Sequence, residues 1–158
     1  MSGTSSIDYP NWTKAWYTIS WDQTVPENMP LNWITITATW IANIDTVYKV
    51  EYYQQNIEND EYSFVETGIQ YGTSDTKWIA IKYNYEWFTF SGWNENNVTS
   101  GNIAGNGSLV LKLYYDRNSY EVSYVFEWQV PEWQSVPETW NYRYEATVPA
   151  QADREVAG

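Results

Sequence analysis

The chain contains no cysteine and no histidine. Without cysteine, neither a disulfide framework nor a thiolate metal site is open to it. Without histidine, it lacks the commonest general base and the commonest transition-metal ligand. Basic residues are scarce, 8 against 20 acidic ones in 158 residues, so the net charge is -12. A chain so acidic, with no basic run, repels nucleic acid and anionic lipid. No apolar run approaches the length of a membrane span, and Met1-Ser-Gly-Thr-Ser-Ser6 has neither the charged nor the apolar region of a signal peptide. An exporting segment is therefore expected outside these residues.

What the chain has in quantity is aromatic and β-branched side chains. Tyr, Trp, Thr, Val and Ile dominate while Ala and Leu are few, which favours strands over helices. Three blocks also recur in the same order. Tyr48-Lys-Val-Glu-Tyr52 returns as Tyr120-Glu-Val-Ser-Tyr124 at an offset of 72. Trp16-Tyr-Thr-Ile-Ser-Trp21 returns as Trp87-Phe-Thr-Phe-Ser-Gly-Trp93 at 71, becoming 72 after Gly92. Ile34-Thr-Ile-Thr-Ala-Thr-Trp40 and Ser108-Leu-Val-Leu-Lys-Leu-Tyr114 share a late slot at 74. Such spacing identifies a repeat, and a repeat takes precedence over other fold arguments.

In repeat register, residues 1–45 are the C-terminal half of one module, 46–118 a complete module, and 119–158 the N-terminal half of a third. The junctions Asn43-Ile-Asp45 and Asp116-Arg-Asn118 are short and polar, so neighbouring modules are expected to stack closely. The complete module predicts strands at 47–54, 61–67 and 108–115, with a weaker one near 88–92. Strict alternation predicts another strand from Tyr120 to Phe126. Tyr48, Val50 and Tyr52 share one strand face, opposite Val47, Lys49, Glu51 and Tyr53. Ser74 to Tyr85 is the best place for a short helix, and the Asn- and Gly-rich 94–107 reads as loop. The expected class is α+β and strand-dominated, a small sheet with a helix on one face. So small a unit has a thin core, and its aromatic side chains supply much of the buried area.

Thr13-Lys-Ala-Trp-Tyr-Thr-Ile-Ser-Trp-Asp-Gln-Thr-Val-Pro-Glu-Asn-Met-Pro30 followed by Ile34 to Trp40 resembles the end of an internalin-type B-repeat of bacterial surface proteins. Tyr48-Lys-Val-Glu-Tyr-Tyr-Gln-Gln55 and Gly107-Ser-Leu-Val-Leu-Lys-Leu-Tyr-Tyr-Asp-Arg-Asn118 resemble the related mucin-binding-protein (MucBP) type repeats. The resemblance covers nearly the whole chain. It implies tandem β-grasp-like, ubiquitin-like modules serving as stalk or adhesive units on the cell wall.

One departure from that family pattern is systematic. The pattern places glycine before the aromatic at Trp16 and Trp87, and around the proline at Trp128 and Trp133. Gly158, in Val156-Ala-Gly158, falls in the same slot 71 residues after Trp87. A glycine supplies a turn at positive φ without steric cost, whereas tryptophan needs a large pocket. A UGA codon decoded as glycine in the source organism but written here as tryptophan explains the difference. Trp16, Trp87, Trp128 and Trp133 are the leading positions, with Trp12, Trp33, Trp78 and Trp140 next. Trp21, Trp40 and Trp93 match family tryptophans. The competing explanation is a chain that is simply rich in aromatic residues.

Candidate sites are few. Exposed Trp and Tyr rings can stack on sugars, with Asn94, Asn96 and Asn97 as hydrogen-bonding neighbours, but strand aromatics more often form core or cross-strand pairs. Glu58-Asn-Asp-Glu61 and Glu132 with Glu138 are carboxylate clusters in turn-like segments. A glycosidase pair needs a cleft. Calcium at Glu58, Asp60 and Glu61 suits loop oxygens better, though EF-hand spacing is absent. The sequons at Asn11, Asn97 and Asn106 fit an Asn-rich composition. Lys49, Lys82 and Lys112 are the strand lysines available for an isopeptide crosslink, with no motif to fix a partner. Gly101 to Gly107 lacks the lysine–hydroxyl ending of a phosphate loop.

The sequence thus points to a non-catalytic repeat segment of an extracellular, wall-associated bacterial protein, with no cofactor, metal or catalytic residues assigned. Its expected partners are host or neighbouring-cell glycoproteins, without nucleic acid or membrane insertion. The alternative is a carbohydrate-active enzyme or its sugar-binding accessory module using exposed Trp and Tyr. The two half-modules also predict head-to-tail self-association.

Overall fold

The computed structural model describes residues 13–14, 16–24, 26–28, 30–127 and 135–151. In chain order these form β1 Tyr17–Trp21, β2 Ala38–Ala42, β3 Thr46–Gln55, β4 Tyr62–Gly72, β5 Lys77–Ile79, β6 Phe88–Phe90, β7 Ser100–Asn102, β8 Val110–Arg117, β9 Ser119–Val122 and β10 Trp140–Arg143. The structure is strand-dominated, and no helix occurs among the described residues.

The centre is a four-stranded sheet in the order β4-β3-β8-β6. β3 and β4 form a long antiparallel hairpin with a bulge between Tyr52 and Tyr53. β8 lies parallel to β3, from Lys49 opposite Val110 to Gln54 opposite Tyr115, and β6 closes the far side antiparallel. A parallel pair needs a long crossover, and the chain between β4 and β8 covers one sheet face on its way. It carries the small β5–β7 ladder. The core lies beneath it, built from Tyr48, Val50 and Tyr52 of β3 and Leu111, Leu113 and Tyr115 of β8, closed by Ala80 and Ile103. Of the two faces of β3, the one carrying Tyr48, Val50 and Tyr52 is therefore the buried one.

The short helix expected over 74–85 is absent. Asp75 has φ 59°, outside the right-handed helical region. Tertiary partners then take the backbone groups that a helix would pair internally. Tyr52 Oη donates to the Ile81 carbonyl at 2.7 Å, the Tyr83 amide donates to Tyr115 Oη at 2.9 Å, and the Ala80 amide donates to the Thr99 carbonyl at 2.7 Å. Buried tyrosine hydroxyls thus satisfy an extended strap. Two further expectations shift. The loop 94–107 contains β7, and the strand expected over 120–126 ends at Val122.

The hairpins flanking the central sheet copy its pairing. In β9–β10, Ser119, Tyr120, Glu121 and Val122 face Arg143, Tyr142, Asn141 and Trp140. In β3–β4, Val47, Tyr48, Lys49 and Val50 face Tyr71, Gln70, Ile69 and Gly68, so both partners of every pair recur 72 residues later. β1–β2 likewise copies β6–β8. Tyr17 opposite Ala42 and Ile19 opposite Trp40 become Phe88 opposite Arg117 and Phe90 opposite Tyr115, offsets of 71 and 75. The offset of 74 read from sequence for the later strand is therefore 75 in the pairing register. That alignment places Ile34, Ile36, Ala38 and Trp40 in the slots of Leu109, Leu111, Leu113 and Tyr115.

Candidate functional site

Two regions gather polar and aromatic side chains: the open face of the central sheet, and the junctions at its ends. On the open face, strand register sets Tyr53 beside Phe64 on β4 and Tyr114 on β8. The Tyr53 and Tyr114 rings stack at 4.6 Å and 9°. Phe64 meets Tyr53 edge-on at 5.8 Å, and Tyr62 meets Tyr114 edge-on at 5.3 Å. Tyr53 Oη donates to Glu51 Oε2 at 2.7 Å, and Lys112 Nζ lies 3.6 Å from the same oxygen. The Glu51 hydrogen bond, with burial second, raises the Tyr53 hydroxyl to about 12. Ile69 and Tyr71 extend the exposed apolar area along β4. An aromatic row edged by a carboxylate and an ammonium offers ring edges and polar groups to a sugar or an aromatic side chain. It presents no acid–base pair across a cleft.

The junctions are built alike. The Asn43 amide donates to the Trp16 carbonyl at 3.0 Å, and the Asn118 amide to the Trp87 carbonyl at 3.0 Å. Thr18 Oγ1 donates to Asn43 Oδ1 at 3.1 Å, and Thr89 Oγ1 to Asn118 Oδ1 at 2.7 Å. Each asparagine carbonyl then accepts an amide from the segment that follows, Ser74 for Asn43 at 2.9 Å and Tyr144 for Asn118 at 2.8 Å. Three bonds on one residue tie two segments together, twice. Around Asn118 the joint is reinforced by arginine. Arg117 Nε donates to the Gln55 carbonyl at 3.1 Å, and its Nη1 reaches Glu145 Oε2 at 2.7 Å and the Tyr144 carbonyl at 3.3 Å.

Arg143 also disposes of the calcium candidate. Its guanidinium pairs with Asp60 and donates to the carbonyls of Asn59, Ile57 and Asn56 at 2.6, 3.2 and 3.4 Å. The loop oxygens that a cation would recruit are occupied by an arginine, which holds the third hairpin to the β3–β4 turn. Among the described residues no group of three acidic, His or Cys side chains could hold a metal ion. Glu138 is exposed, and Glu132 lies outside the described residues.

Of the asparagines proposed as sugar contacts, Asn94 and Asn97 use their side chains internally, while Asn96 is exposed. Asn94 Oδ1 accepts the Asn96 amide, Asn97 Nδ2 donates to the Ser91 carbonyl at 2.6 Å, and Asn97 Oδ1 accepts the Tyr114 amide at 3.0 Å. With its amide so engaged, Asn97 is no free glycan acceptor. Asn106 is exposed but caps its own turn through the Ser108 amide, and Asn11 lies outside the described residues. Lys112 is paired with Glu51, Lys82 Nζ sits 3.8 Å over the Phe90 ring, and Lys49 points outward. Neither Asn43 nor Arg117 stood out in the sequence as a functional side chain, because a seam residue has no motif of its own.

The tryptophans separate from the tyrosines. Tyr48, Tyr52 and Tyr115 fill the core, yet no tryptophan is buried among the described residues. Trp16 has φ 72°, the left-handed region that glycine occupies freely, and its indole lies against Gly105. Trp87 stacks on Tyr144 at 4.7 Å and 11°. Trp140 holds the register slot of Gly68. Trp12, Trp128, Trp133 and Gly158 lie outside the described residues.

Comparison with family models, with curated proteins and with solved structures finds no match to this chain.

Proposed function

We propose that the chain is a non-catalytic repeat segment of a bacterial cell-surface protein, built from β-grasp-like modules of the internalin B-repeat and mucin-binding type. In this reading 46–118 is one whole module, 1–45 the C-terminal half of its predecessor and 119–158 the N-terminal half of its successor. The observation that carries it is the seam. The same three hydrogen bonds recur at Asn43 and Asn118, so each unit is fixed to the next in one orientation. Units joined this way form a stiff stalk, which suits a spacer holding a distal domain away from the cell wall.

Adhesion to glycoproteins is assigned to the open face, where Phe64, Tyr53 and Tyr114 form a row of touching aromatic rings. That row equally favours a sugar-binding accessory module of a carbohydrate-active enzyme, which is the second reading. Glycan and mucin arrays run beside a hydrolysis assay discriminate them. The expected result is binding without turnover, weakened about tenfold, roughly 1.4 kcal/mol, by Tyr53→Ala with Tyr114→Ala. Hydrolysis abolished by changing one glutamate, such as Glu51→Gln, would overturn the non-catalytic reading.

A further inference from the structure

Trp93 is 73% exposed, yet its indole is held in place. Nε1 donates to Asp116 Oδ2 at 3.1 Å. Its counterpart one module earlier, Trp21, is 46% exposed, so this slot lies outside the core in both units. A tryptophan that supported the core would be covered, whereas this one is anchored by its N–H and leaves apolar ring surface to solvent. The anchor belongs to the open face of the sheet. Asp116 is on β8 two residues beyond Tyr114, and alternation puts both side chains on that face. The other Asp116 oxygen accepts the Tyr62 hydroxyl, and the Tyr62 ring meets Tyr114 edge-on.

The carboxylate has no cation beside it. Among the described residues the ion pairs are Lys112–Glu51, Arg117–Glu145 and Arg143–Asp60, and none includes Asp116. Lys49 lies opposite Val110, about 20 Å along β8 from Asp116. Glu95, two residues beyond Trp93, is exposed. This corner of the face is thus an exposed indole in a negative field. It also has hydrogen-bonding capacity to spare. Each Asp116 oxygen has accepted one bond and can accept a second. Ser91 is 1% exposed, and its Oγ has no hydrogen-bond partner. Burial first, then the Asp116 bond, raises the Tyr62 pKa, and Ser91 lowers it in part, which sets Ser91 beside that hydroxyl.

We propose that Trp93 and Asp116 form a saccharide subsite that takes sugars without anionic groups and favours those with a free amino group. The subsite deepens the adhesion reading of the open face and rests on it. The pyranose ring lies on the indole, and its amino or hydroxyl donors bond to the Asp116 carboxylate. An ammonium there gains both a charge-assisted hydrogen bond and the attraction of the indole quadrupole. When a ligand donor takes the oxygen that Tyr62 uses, Ser91 Oγ accepts the Tyr62 proton instead, so no buried group is orphaned. A carboxylated or sulfated sugar meets Asp116 and Glu95 with like charge and no cation to offset it. The bond to Asp116 fixes the indole before the ligand arrives, which reduces the ordering cost of binding. None of the tryptophans that the codon argument puts in question takes part.

Calorimetric titration of the whole chain tests this, at about 0.15 M salt to screen the net charge. The probes are tetramers of glucosamine, N-acetylglucosamine and galacturonic acid, with tetralysine as the control for charge alone. The expected order is glucosamine, then N-acetylglucosamine, with no measurable binding of galacturonate. Trp93→Ala is expected to weaken the first two about tenfold, the loss typical of an aromatic hot spot. Asp116→Asn is expected to remove a preference for glucosamine of about fivefold, the scale of an exposed ion pair. Trp93→Phe keeps a stacking ring without the N–H bond and falls between, and thermal melting confirms that each variant is folded. Galacturonate bound as well as glucosamine, no tetrasaccharide bound at all, tetralysine bound as tightly with the same dependence on Trp93, or a folded Trp93→Ala of unchanged affinity overturns the subsite. Mucin binding that survives Trp93→Ala but is weakened by Tyr53→Ala with Tyr114→Ala contradicts the subsite alone. Absence of binding on every glycan and mucin array contradicts the adhesion reading as well.

Discussion

Trp140 lies opposite Val122 in the register that Gly68 holds opposite Val50. At Gly68 the reason for glycine is visible, since a Cβ there would fall 3.0 Å from Tyr83 Oη and 3.2 Å from the Tyr52 ring. Gly68→Ala is expected to cost roughly 1–3 kcal/mol through overpacking, read as a lower melting temperature. A neutral substitution would show that the Tyr52–Tyr83 stack yields easily.

The same relationship sharpens the question of the tryptophans. Trp16 sits at φ 72°, a conformation that costs a non-glycine residue roughly 1–2 kcal/mol. Trp16→Gly is expected to leave the chain as stable or more stable in thermal melting, despite losing the indole contact with Gly105. The coding DNA is expected to show TGA at positions 16, 87, 128 and 133. TGG at every tryptophan contradicts the reassignment.

Asn118 ties the central sheet to the third hairpin through its amide, carbonyl and side chain. Asn118→Ala keeps the backbone bonds but leaves the Thr89 hydroxyl without its acceptor, at a cost of about 1 kcal/mol. Arg117→Ala, which removes bonds to Gln55, Tyr144 and Glu145, is expected to cost about 2 kcal/mol. In both variants amide exchange should accelerate first in β9 and β10. Exchange that accelerates equally in β3 and β8 would mean that the hairpin is no separate unit.

Burial raises the hydroxyl pKa of Tyr48, Tyr52, Tyr85 and Tyr115 above the ordinary 10.0, with Glu66 adding to the effect at Tyr85. Folding therefore favours the neutral phenol. That contribution is whole below pH 10 and is lost as pH climbs from there through the raised folded values. Stability should be insensitive to tyrosine between neutrality and pH 10, then fall steeply, with tyrosinate absorbance rising together with loss of the circular dichroism signal. Titration of all tyrosines near 10 in a folded chain would contradict the buried cluster.

Much of this fold was legible in sequence because alternation and repetition both leave marks in it. Tyr48, Val50 and Tyr52 fell on one face by alternation, and the strands at 47–54, 61–67, 88–92 and 108–115 all form, with shifted ends. The helix over 74–85 was misplaced because no local pattern reveals that Tyr52 and Tyr115 hydroxyls satisfy that backbone. The end of β9 at Val122 was illegible for a related reason, since Tyr120 to Phe126 alternates correctly but has, among the described residues, no counterpart of the strand that β8 gives β3. Among the candidate site residues, Asp60 looked like a cation ligand until Arg143, 83 residues away, was seen to hold it. Contacts of that span have no signature in a single sequence.

Small-angle scattering of chains carrying one, two and three copies of 46–118 between the same flanks tests the stalk most directly. It is measured at high dilution, where chains stay single. Seams fixed as at Asn43 and Asn118 predict a maximum dimension that grows by the same increment with every copy. A dimension that grows as a compact globule, or a scattering profile of freely jointed beads, would contradict it.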